Sequence, residues 1–330
     1  MVATLLGFGC RAYAQLKPAV TEAERFKLAA AYSNEFRGLS VLVLKGDKVV
    51  FEAYQNGHSS EKPWMLASGT KSFSGVMLAA AIEDKLIRSF DEKVSDTITE
   101  WKSDPRKAKI TIRQLLSLTS GIAAGQIGIV PTYLEAIDSA VKSDAGMRFE
   151  YGPAPFQIFG ELMTRKLRLK NEGVMDYLKR RILNPIGLNV AFWRMVDGQP
   201  LLPQGASLTA REWAKFGIFL KNGGNWSGKQ IINKKLLDEL VVSSKANPAY
   251  GITFWLNKSG TDPAGRPMGG GETDSNGIAD SVKDVYMAAG AGKQRLYVIP
   301  SLDMVVVRQG RVSEFDDKAF LGRLLNGKTQ

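Results

Sequence analysis

The apolar positions near the start of the chain repeat with the period of a helix. Phe73, Val76, Met77 and Ala80 stand at i, i+3, i+4 and i+7, so their side chains share one helix face. An apolar stripe of this kind predicts a helix that packs in the core. Ser68 lies in the predicted first turn of this helix, and its hydroxyl is therefore expected at the end of a buried element.

Apolar runs with the character of β-strands lie near both ends of the chain. The predicted strands are Leu39–Leu44, Val49–Tyr54, Tyr250–Leu256, Val285–Ala288, Leu296–Ile299 and Met304–Arg308. They do not alternate with helices in the manner of a parallel sheet. We therefore predict an α+β fold, in which one antiparallel sheet is built from both chain ends, is flanked by helices and is interrupted by an inserted helical lobe.

Most of the predicted helices lie between the two groups of strands. They are Thr21–Phe36, Thr111–Thr119, Phe156–Leu169, Val174–Leu183, Thr209–Leu220 and Glu314–Leu325. Gly121 is the expected left-handed cap of the second helix. Pro153 and Pro155 predict a loop that contains Tyr151. We expect residues 15–330 to form a single domain, with an α/β lobe at about 20–90 and 249–326 and a mainly helical lobe at about 91–248.

The composition excludes several kinds of site. One cysteine and one histidine, His58, cannot supply a disulfide framework or a Cys/His zinc site in a monomer. We predict neither a metal nor a cofactor. The formal net charge is +11, but no compact basic block with interleaved aromatic residues is present, so we predict no nucleic-acid partner. No stretch approaches the roughly 20 apolar residues of a transmembrane helix.

The segment 1–14 has part of the pattern of a secretory signal. A short apolar run is followed by Ala12-Tyr13-Ala14, a small-x-small sequence of the kind that signal peptidase recognises. This pattern predicts export to the periplasm or the extracellular space, with a mature chain that begins at Gln15. A cytoplasmic location is the alternative, because no basic residue precedes the apolar run.

Ser68 and Lys71 are the candidate reacting groups. Their i, i+3 spacing places both side chains on one helix face, one turn apart. Unpaired amides at a helix start suit a developing oxyanion, and a buried lysine can accept a hydroxyl proton. Tyr151 could complete the proton relay, and the Gly290–Gly292 turn could bring the Ala291 amide to a ligand. Each of these features is also common in sites without catalytic function.

In their order and spacing, these elements resemble the serine β-lactamase and penicillin-binding-protein superfamily. More narrowly, the chain resembles the class C-related serine hydrolases, which include family VIII carboxylesterases and 6-aminohexanoate-dimer hydrolase. The resemblance covers about residues 20–326 and implies a β-lactamase/transpeptidase-like fold. It rests on five blocks in order: LASGTKSFSG, KITIRQLLSLTSGI, FEYG, GASLTAREWAKFGIFLKNGGNWSGKQII and GAGKQRLYVIPSLDMVVVR.

The resemblance implies a role for each candidate residue. Ser68 is the acylated nucleophile, Lys71 is its general base or proton relay, and Tyr151 delivers the proton to the leaving group. The backbone amides of Ser68 and Ala291 are the implied oxyanion donors. The implied substrate-binding positions on the late strand and its turn are Ala288, Ala289, Gly290 and Gly292.

Two motifs depart from the family pattern. The Y-x-N element reads Tyr151-Gly152-Pro153, so the asparagine amide is missing. The K-T-G element reads Ala288-Ala289-Gly290 and lacks both the cation and the hydroxyl. In the family, this lysine grips the carboxylate of β-lactams and of D-Ala-D-Ala peptides. The resemblance therefore does not extend carboxylate-directed binding to this chain.

These observations leave three hypotheses about function. The leading one is a serine hydrolase that cleaves a small ester or amide through a Ser68 acyl-enzyme. The second is a β-lactamase or D-alanyl-D-alanine carboxypeptidase. The third, of another class, is a non-catalytic binding protein on the same scaffold, which has no need of Ser68, Lys71 and Tyr151 together. We predict that His58 lies in a surface loop and is not catalytic. The pattern leaves the acyl group, the leaving group and the oligomeric state open.

Overall fold

A six-stranded antiparallel sheet forms the centre of the computed structural model, which describes residues 20–268 and 277–328. The strands are β1 (Gly38–Lys45), β2 (Lys48–Tyr54), β3 (Trp64–Met65), β4 (Phe192–Trp193), β5 (Met195–Val196), β6 (Gln199–Pro200), β7 (Ala206–Leu208), β8 (Asn225–Trp226), β9 (Lys229–Gln230), β10 (Trp255–Leu256), β11 (Gly260–Thr261), β12 (Pro267–Met268), β13 (Tyr286–Gly290), β14 (Gln294–Ile299) and β15 (Met304–Gly310). The order in the main sheet is β10-β13-β14-β15-β1-β2. The prediction of a sheet built from both chain ends is confirmed. The expected signal segment lies outside the described residues.

Helices cover both faces of this sheet. They are α1 (Glu22–Glu35), α2 (Lys71–Glu83), α3 (Ile112–Leu116), α4 (Tyr133–Ile137), α5 (Ala154–Leu167), α6 (Val174–Leu178), α7 (Ala210–Lys221), α8 (Lys234–Asp238) and α9 (Asp317–Asn326). Successive side chains of a strand point to opposite faces. Tyr297 of β14 accordingly stacks on Phe320 of α9, with ring centroids 5.9 Å apart, whereas its neighbour Leu296 packs under Gly217 of α7. Among the described residues, no helix is both long and apolar enough to cross a membrane.

Polar caps fix where the main helices begin. The Thr21 side chain accepts a hydrogen bond from the Glu24 amide, and the Glu24 carboxylate accepts one from the Thr21 amide, so that the two residues form a capping box. The Thr209 side chain accepts a hydrogen bond from the Glu212 amide at the start of α7, and the Asp316 side chain accepts one from the Ala319 amide at the start of α9. These caps satisfy amides that have no partner within the helix, so the predicted starts of α1 and α7 agree closely with the structure.

The loop predicted around Tyr151 is present, but two details of the predictions for this part of the chain are wrong. Pro155 is not part of that loop and lies in the first turn of α5, where its missing N–H is not needed for a helical hydrogen bond. The left-handed residue that directly follows α3 is Leu118, with φ of 61°, rather than Gly121. Gly121 is also left-handed, with φ of 76°, and a Cβ there would lie 2.0 Å from the Ser143 carbonyl oxygen. Its role is close packing of two loops.

Two predicted elements are shorter than expected. The predicted helix 174–183 is α-helical only to Leu178, and the chain continues as one π-helical turn over Lys179–Leu183. The predicted strand 250–256 is regular only in β10, because Tyr250 folds back to form an isolated bridge with Trp255. This fold-back places two aromatic rings beside the end of the main sheet, next to the candidate site.

Candidate active site

Ser68 lies in a single 3-10 turn, Ala67–Thr70, that leads directly into α2. The first hydrogen bond of the turn runs from the Gly69 amide to the Leu66 carbonyl, so the Ser68 amide precedes the hydrogen-bonded part. Ala67 adopts a left-handed conformation with φ of 47°, which is unfavourable for a residue with a Cβ. The strained backbone thus lies immediately before the candidate nucleophile.

Lys71 is the first residue of α2 and is buried beneath Ser68. Its Nζ lies 3.2 Å from the Ser68 Oγ and donates a hydrogen bond of 3.0 Å to the Pro203 carbonyl oxygen. The side chain is 4% exposed, and no described carboxylate lies within ion-pair distance of it. Burial therefore lowers the pKa of Lys71 from 10.5 to about 7, because desolvation penalises the ammonium form.

Tyr151 faces Lys71 from the loop that precedes α5. The centroid of its ring lies 5.0 Å from the Lys71 Nζ. Two backbone hydrogen bonds fix the loop around it, from the Glu150 amide to the Leu118 carbonyl and from the Ala154 amide to the Ala124 carbonyl. Tyr151 is therefore placed by its loop before any ligand binds.

An aromatic cluster surrounds the Tyr151 ring. Trp255 stacks on it with centroids 5.8 Å apart, Tyr250 packs edge-on at 6.2 Å, and Phe149 lies at 6.3 Å. Burial raises the pKa of Tyr151 to about 12, although the neighbouring Ser68 side chain and the positive charge of Arg295 act in the opposite direction. The phenol keeps its proton at neutral pH.

The end of β13 packs directly against the Ser68 turn. A Cβ on Gly290 would lie 2.0 Å from the Leu66 carbonyl oxygen and 3.0 Å from the Gly69 nitrogen. Only glycine permits this approach. The next residue, Ala291, begins the turn to β14, and its amide donates to no acceptor among the described residues. Neither the Ser68 amide nor the Ala291 amide donates to an acceptor in the described part of the chain, and the close approach of Gly290 brings the two amides to the same region.

A cavity of about 510 Å³ opens over these groups. Of the residues predicted for the site, those that line it are Ser68, Tyr151, Ala289, Gly290, Ala291 and Gly292. Lys71 lies beneath Ser68 and does not line the cavity. Ala288 does not line it either: its side chain is 2% exposed and packs in the core, since neighbouring positions of a strand face opposite ways.

No cation replaces the family lysine at Ala288 or Ala289. Arg295 lies opposite Ala289 in the strand register and borders the cavity, but its guanidinium pairs with both carboxylate oxygens of Asp317, at 2.7 and 3.0 Å. Arg295 is therefore committed to a structural partner. Lys293 also borders the cavity, and it makes no ion pair with a described carboxylate.

Three features of the site have no clear sequence signal. The Pro203 carbonyl that anchors Lys71 belongs to a loop that no motif marks. Trp255 reaches Tyr151 through the fold-back of the chain, and Asp317 reaches Arg295 from the first turn of α9. For the pair of Arg295 and Asp317, the available sequence signal was a positive charge at Arg295, shortly after the glycine turn.

His58 is half-buried rather than on the surface as predicted. Its ring packs edge-on against Trp64, with centroids 6.0 Å apart, and near Tyr54 at 6.5 Å. Burial lowers the pKa of His58. It does not line the cavity. Within residues 20–268 and 277–328, no group of three or more His, Cys, Asp or Glu side chains is placed to hold a metal ion.

A serine and a buried lysine at the start of a helix, facing a glycine turn at the end of a central antiparallel sheet, define the β-lactamase/transpeptidase fold. The chain belongs to the β-lactamase family, whose sequence profile matches residues 21–308. The predicted fold class and family resemblance are thereby confirmed. No curated protein sequence matches the chain significantly.

Solved structures share this fold at low sequence identity. A protein of Bacteroides dorei DSM 17855, provisionally assigned as a β-lactamase, is 16% identical with a TM-score of 0.73, over 92% of this chain and 98% of that one. A family VIII carboxylesterase is 14% identical with a TM-score of 0.68, over 94% and 97%. A Bacillus anthracis protein provisionally assigned as a 6-aminohexanoate-dimer hydrolase is 18% identical with a TM-score of 0.66, over 85% and 75%.

Proposed function

We propose that this protein is a serine hydrolase that cleaves a small ester or amide through an acyl-enzyme on Ser68. The observation that carries the proposal is the placement of Lys71, whose buried Nζ lies 3.2 Å from the Ser68 Oγ without a carboxylate partner among the described residues. At a pKa of about 7, a large fraction of this amine is neutral at physiological pH and can accept a proton. Membership of the β-lactamase family supports the same chemistry.

The two proton-carrying groups have different tasks in this proposal. The Ser68 Oγ attacks the carbonyl carbon and gives its proton to the Lys71 Nζ, while the carbonyl electrons move onto oxygen between the Ser68 and Ala291 amides. Collapse of the tetrahedral species expels the leaving group, which takes the phenolic proton of Tyr151, and Lys71 returns a proton to Tyr151. Water then attacks the acyl carbonyl carbon and gives a proton to the neutral Lys71 Nζ, and when the bond to the Ser68 Oγ breaks and the acid is released, Lys71 returns this proton to the Ser68 Oγ. The raised pKa of Tyr151 suits a proton donor and not a phenolate base.

The acyl group that fits best is uncharged. A charge-assisted contact to a substrate carboxylate is worth ~1.5–3 kcal/mol, or about one to two powers of ten in binding. Ala288 and Ala289 offer no such contact, Arg295 is paired with Asp317, and Pro153 lacks the amide of the family asparagine. Lys293 borders the cavity without an ion-pair partner among the described residues, but it lies in the turn after β13 and not at the position of the family lysine. We therefore propose simple esters as better substrates than penicillins or D-Ala-D-Ala peptides.

The decisive experiment combines labelling with substrate comparison. A fluorophosphonate probe should modify Ser68, and Ser68→Ala should remove both the adduct and turnover of p-nitrophenyl butyrate, with a loss of several powers of ten in kcat. Ser74→Ala is the matched control, because the buried Ser74 hydroxyl lies on the same helix and has no hydrogen-bond partner among the described residues.

Each alternative has its own signature in that experiment. A wild-type protein that is neither labelled nor active on any ester, nitrocefin or peptide would be a non-catalytic binding protein. Turnover of nitrocefin or of a D-Ala-D-Ala peptide as efficient as that of p-nitrophenyl butyrate would favour the β-lactamase or carboxypeptidase. The comparison of kcat/KM values therefore separates all three hypotheses.

We also propose export, on the pattern Ala12-Tyr13-Ala14. Mass spectrometry of the protein secreted by its native host should then find a mature chain that begins at Gln15. A mature protein that retains Met1 would refute this proposal.

A further inference from the structure

Side chains form hydrogen bonds to all the backbone carbonyl groups of the turn between β13 and β14. From Gly290 to Gln294, each backbone carbonyl oxygen accepts a hydrogen bond from an arginine or glutamine side chain. The contacts are Arg295 Nη1 to the carbonyls of Gly290 (3.4 Å) and Gln294 (3.0 Å), Gln294 Nε2 to that of Ala291 (3.1 Å), and Arg308 Nη1 to those of Gly292 (3.4 Å) and Lys293 (2.8 Å).

Arg295 contacts the peptide unit between Gly290 and Ala291, whose N–H is the proposed oxyanion donor. Gly290 and Gln294 are the last paired residues of the hairpin, and the Arg295 Nη1 bridges their two carbonyls. The Gly290 carbonyl and the Ala291 N–H belong to one planar trans peptide unit, so they point in opposite directions. When Arg295 fixes the carbonyl, it also fixes the direction of the N–H, which is left without an acceptor among the described residues.

The guanidinium of Arg295 is itself firmly held. Its Nε and Nη2 donate to the two carboxylate oxygens of Asp317, and the hydroxyl of Tyr297 donates to the same carboxylate. A planar fork with a bidentate partner has little freedom to turn. The orientation of Ala291 is therefore connected through Arg295 to the start of α9.

This arrangement is costly for the fold, which argues against a purely structural purpose. Arg295 and Arg308 lie directly opposite each other on β14 and β15, and like charges at such positions are destabilising. Arg308 is fully buried, and no described carboxylate pairs with it. Burial is the main cause that lowers its pKa to about 10. Its contacts are carbonyl groups, the Ser33 hydroxyl and the face of the Phe315 ring.

We propose that Arg295, held by Asp317, is a positioning residue that aims the Ala291 N–H at the oxyanion, while Gln294 and Arg308 keep the rest of the turn in place. This inference rests on the proposed function, since it assigns a task to a group of that same site. An oxyanion donor acts mainly in the transition state, and the loss of one donor typically costs about 10²–10³ in kcat. A donor that is still present but points in the wrong direction should lower kcat by a somewhat smaller factor.

The test is Arg295→Lys, which keeps the charge near Asp317 but loses the bidentate fork and the bridge between the two carbonyls. For p-nitrophenyl butyrate we expect kcat to fall about 10- to 100-fold with little change in KM. Affinity for phenylboronic acid, whose tetrahedral adduct mimics the transition state, should fall by a similar factor. The pH midpoint set by Lys71 should not move. If Arg295 had only a structural role, kcat and the affinity for phenylboronic acid would both stay at their wild-type values in the folded variant.

Two further variants keep the test decisive. Gln294→Met releases the Ala291 carbonyl without removing a charge, and it should change kcat and boronate affinity in the same direction by a smaller factor. Tyr177→Phe is the stability control, because it removes the partly buried hydrogen bond from the Tyr177 hydroxyl to Asp84, neither of which lines the cavity, and it should leave kcat unchanged. Wild-type kcat in both Arg295→Lys and Gln294→Met would overturn the inference and leave the proposed function intact. An inactive wild-type protein would instead refute both.

Discussion

Replacing Lys71 with methionine should inactivate the protein and also change how its stability depends on pH. Methionine has a similar length and no charge, so Lys71→Met tests the cost of burying this amine. In the unfolded chain, the lysine binds a proton at any pH below about 10.5, whereas in the folded protein it does so only below about 7. Between these values unfolding takes up a proton, and the wild-type protein therefore becomes more stable as the pH rises.

The size of the effect follows from the two pKa values. One pKa unit corresponds to about 1.4 kcal/mol, so the buried lysine costs the fold about 4 kcal/mol at pH 7 and about 2 kcal/mol at pH 9. Lys71→Met removes this cost but leaves the Pro203 carbonyl without its donor, at about 1–3 kcal/mol. We expect a variant that is roughly 1–3 kcal/mol more stable at pH 7, with an advantage that shrinks by about 2 kcal/mol at pH 9.

Urea unfolding at pH 7 and pH 9 measures this difference, with tryptophan fluorescence and circular dichroism as two probes of one transition. Lys179→Met is the matched control, because Lys179 is exposed and its replacement should leave the wild-type pH dependence unchanged. If the free energies of unfolding of wild type and Lys71→Met change in parallel between the two pH values, Lys71 is not desolvated as described. Its assignment as a proton acceptor at neutral pH would then lose its physical basis.

Two further substitutions examine the backbone contact and the histidine. Gly290→Ala introduces a Cβ that would lie 2.0 Å from the Leu66 carbonyl, so β13 must move away from the Ser68 turn, and kcat/KM should fall at least about tenfold. Gly322→Ala in α9, where the nearest side-chain atom lies 3.6 Å from the new Cβ, should leave kcat/KM unchanged, and equal activities of the two variants would contradict the packing argument. His58→Ala should retain kcat/KM within a few-fold, whereas a loss of about a thousandfold would point to a serine–histidine mechanism.

The sequence was sufficient for the fold because its signals are local. The capping box at Thr21, the strand pairs near each end and the apolar stripe behind Ser68 each depend on a few neighbouring residues. The fold-back of Tyr250 onto Trp255 and the π-helical turn after Leu178 depend on packing with distant elements. Local patterns could not predict these two features, and the predicted lengths are wrong there for that reason.

In the candidate site too, features that depend on local sequence could be predicted, whereas features that depend on tertiary contacts could not. The spacing of Ser68 and Lys71 follows from helix geometry, and the structure places their reacting atoms 3.2 Å apart. The residues that contact the reacting groups are distant in sequence: the Pro203 carbonyl accepts a hydrogen bond from Lys71, and the Trp255 ring stacks on Tyr151. Side chains that act through tertiary contacts leave no spacing rule in the sequence, so the environment of the site had to come from the structure.

The distribution of energetic costs supports an enzyme over a binding protein. A left-handed alanine at Ala67, a desolvated amine at Lys71 and a buried guanidinium at Arg308 without a described carboxylate partner each destabilise the folded state. All three act on one small region, since Ala67 precedes the candidate nucleophile Ser68, Lys71 contacts its hydroxyl and Arg308 contacts the turn that contains Ala291. A binding protein would gain little from a neutral lysine or from two free amides. A hydrolase that works by the proposed mechanism needs both, because the amine would take the proton of Ser68 and the amides would stabilise the charge that forms on the carbonyl oxygen.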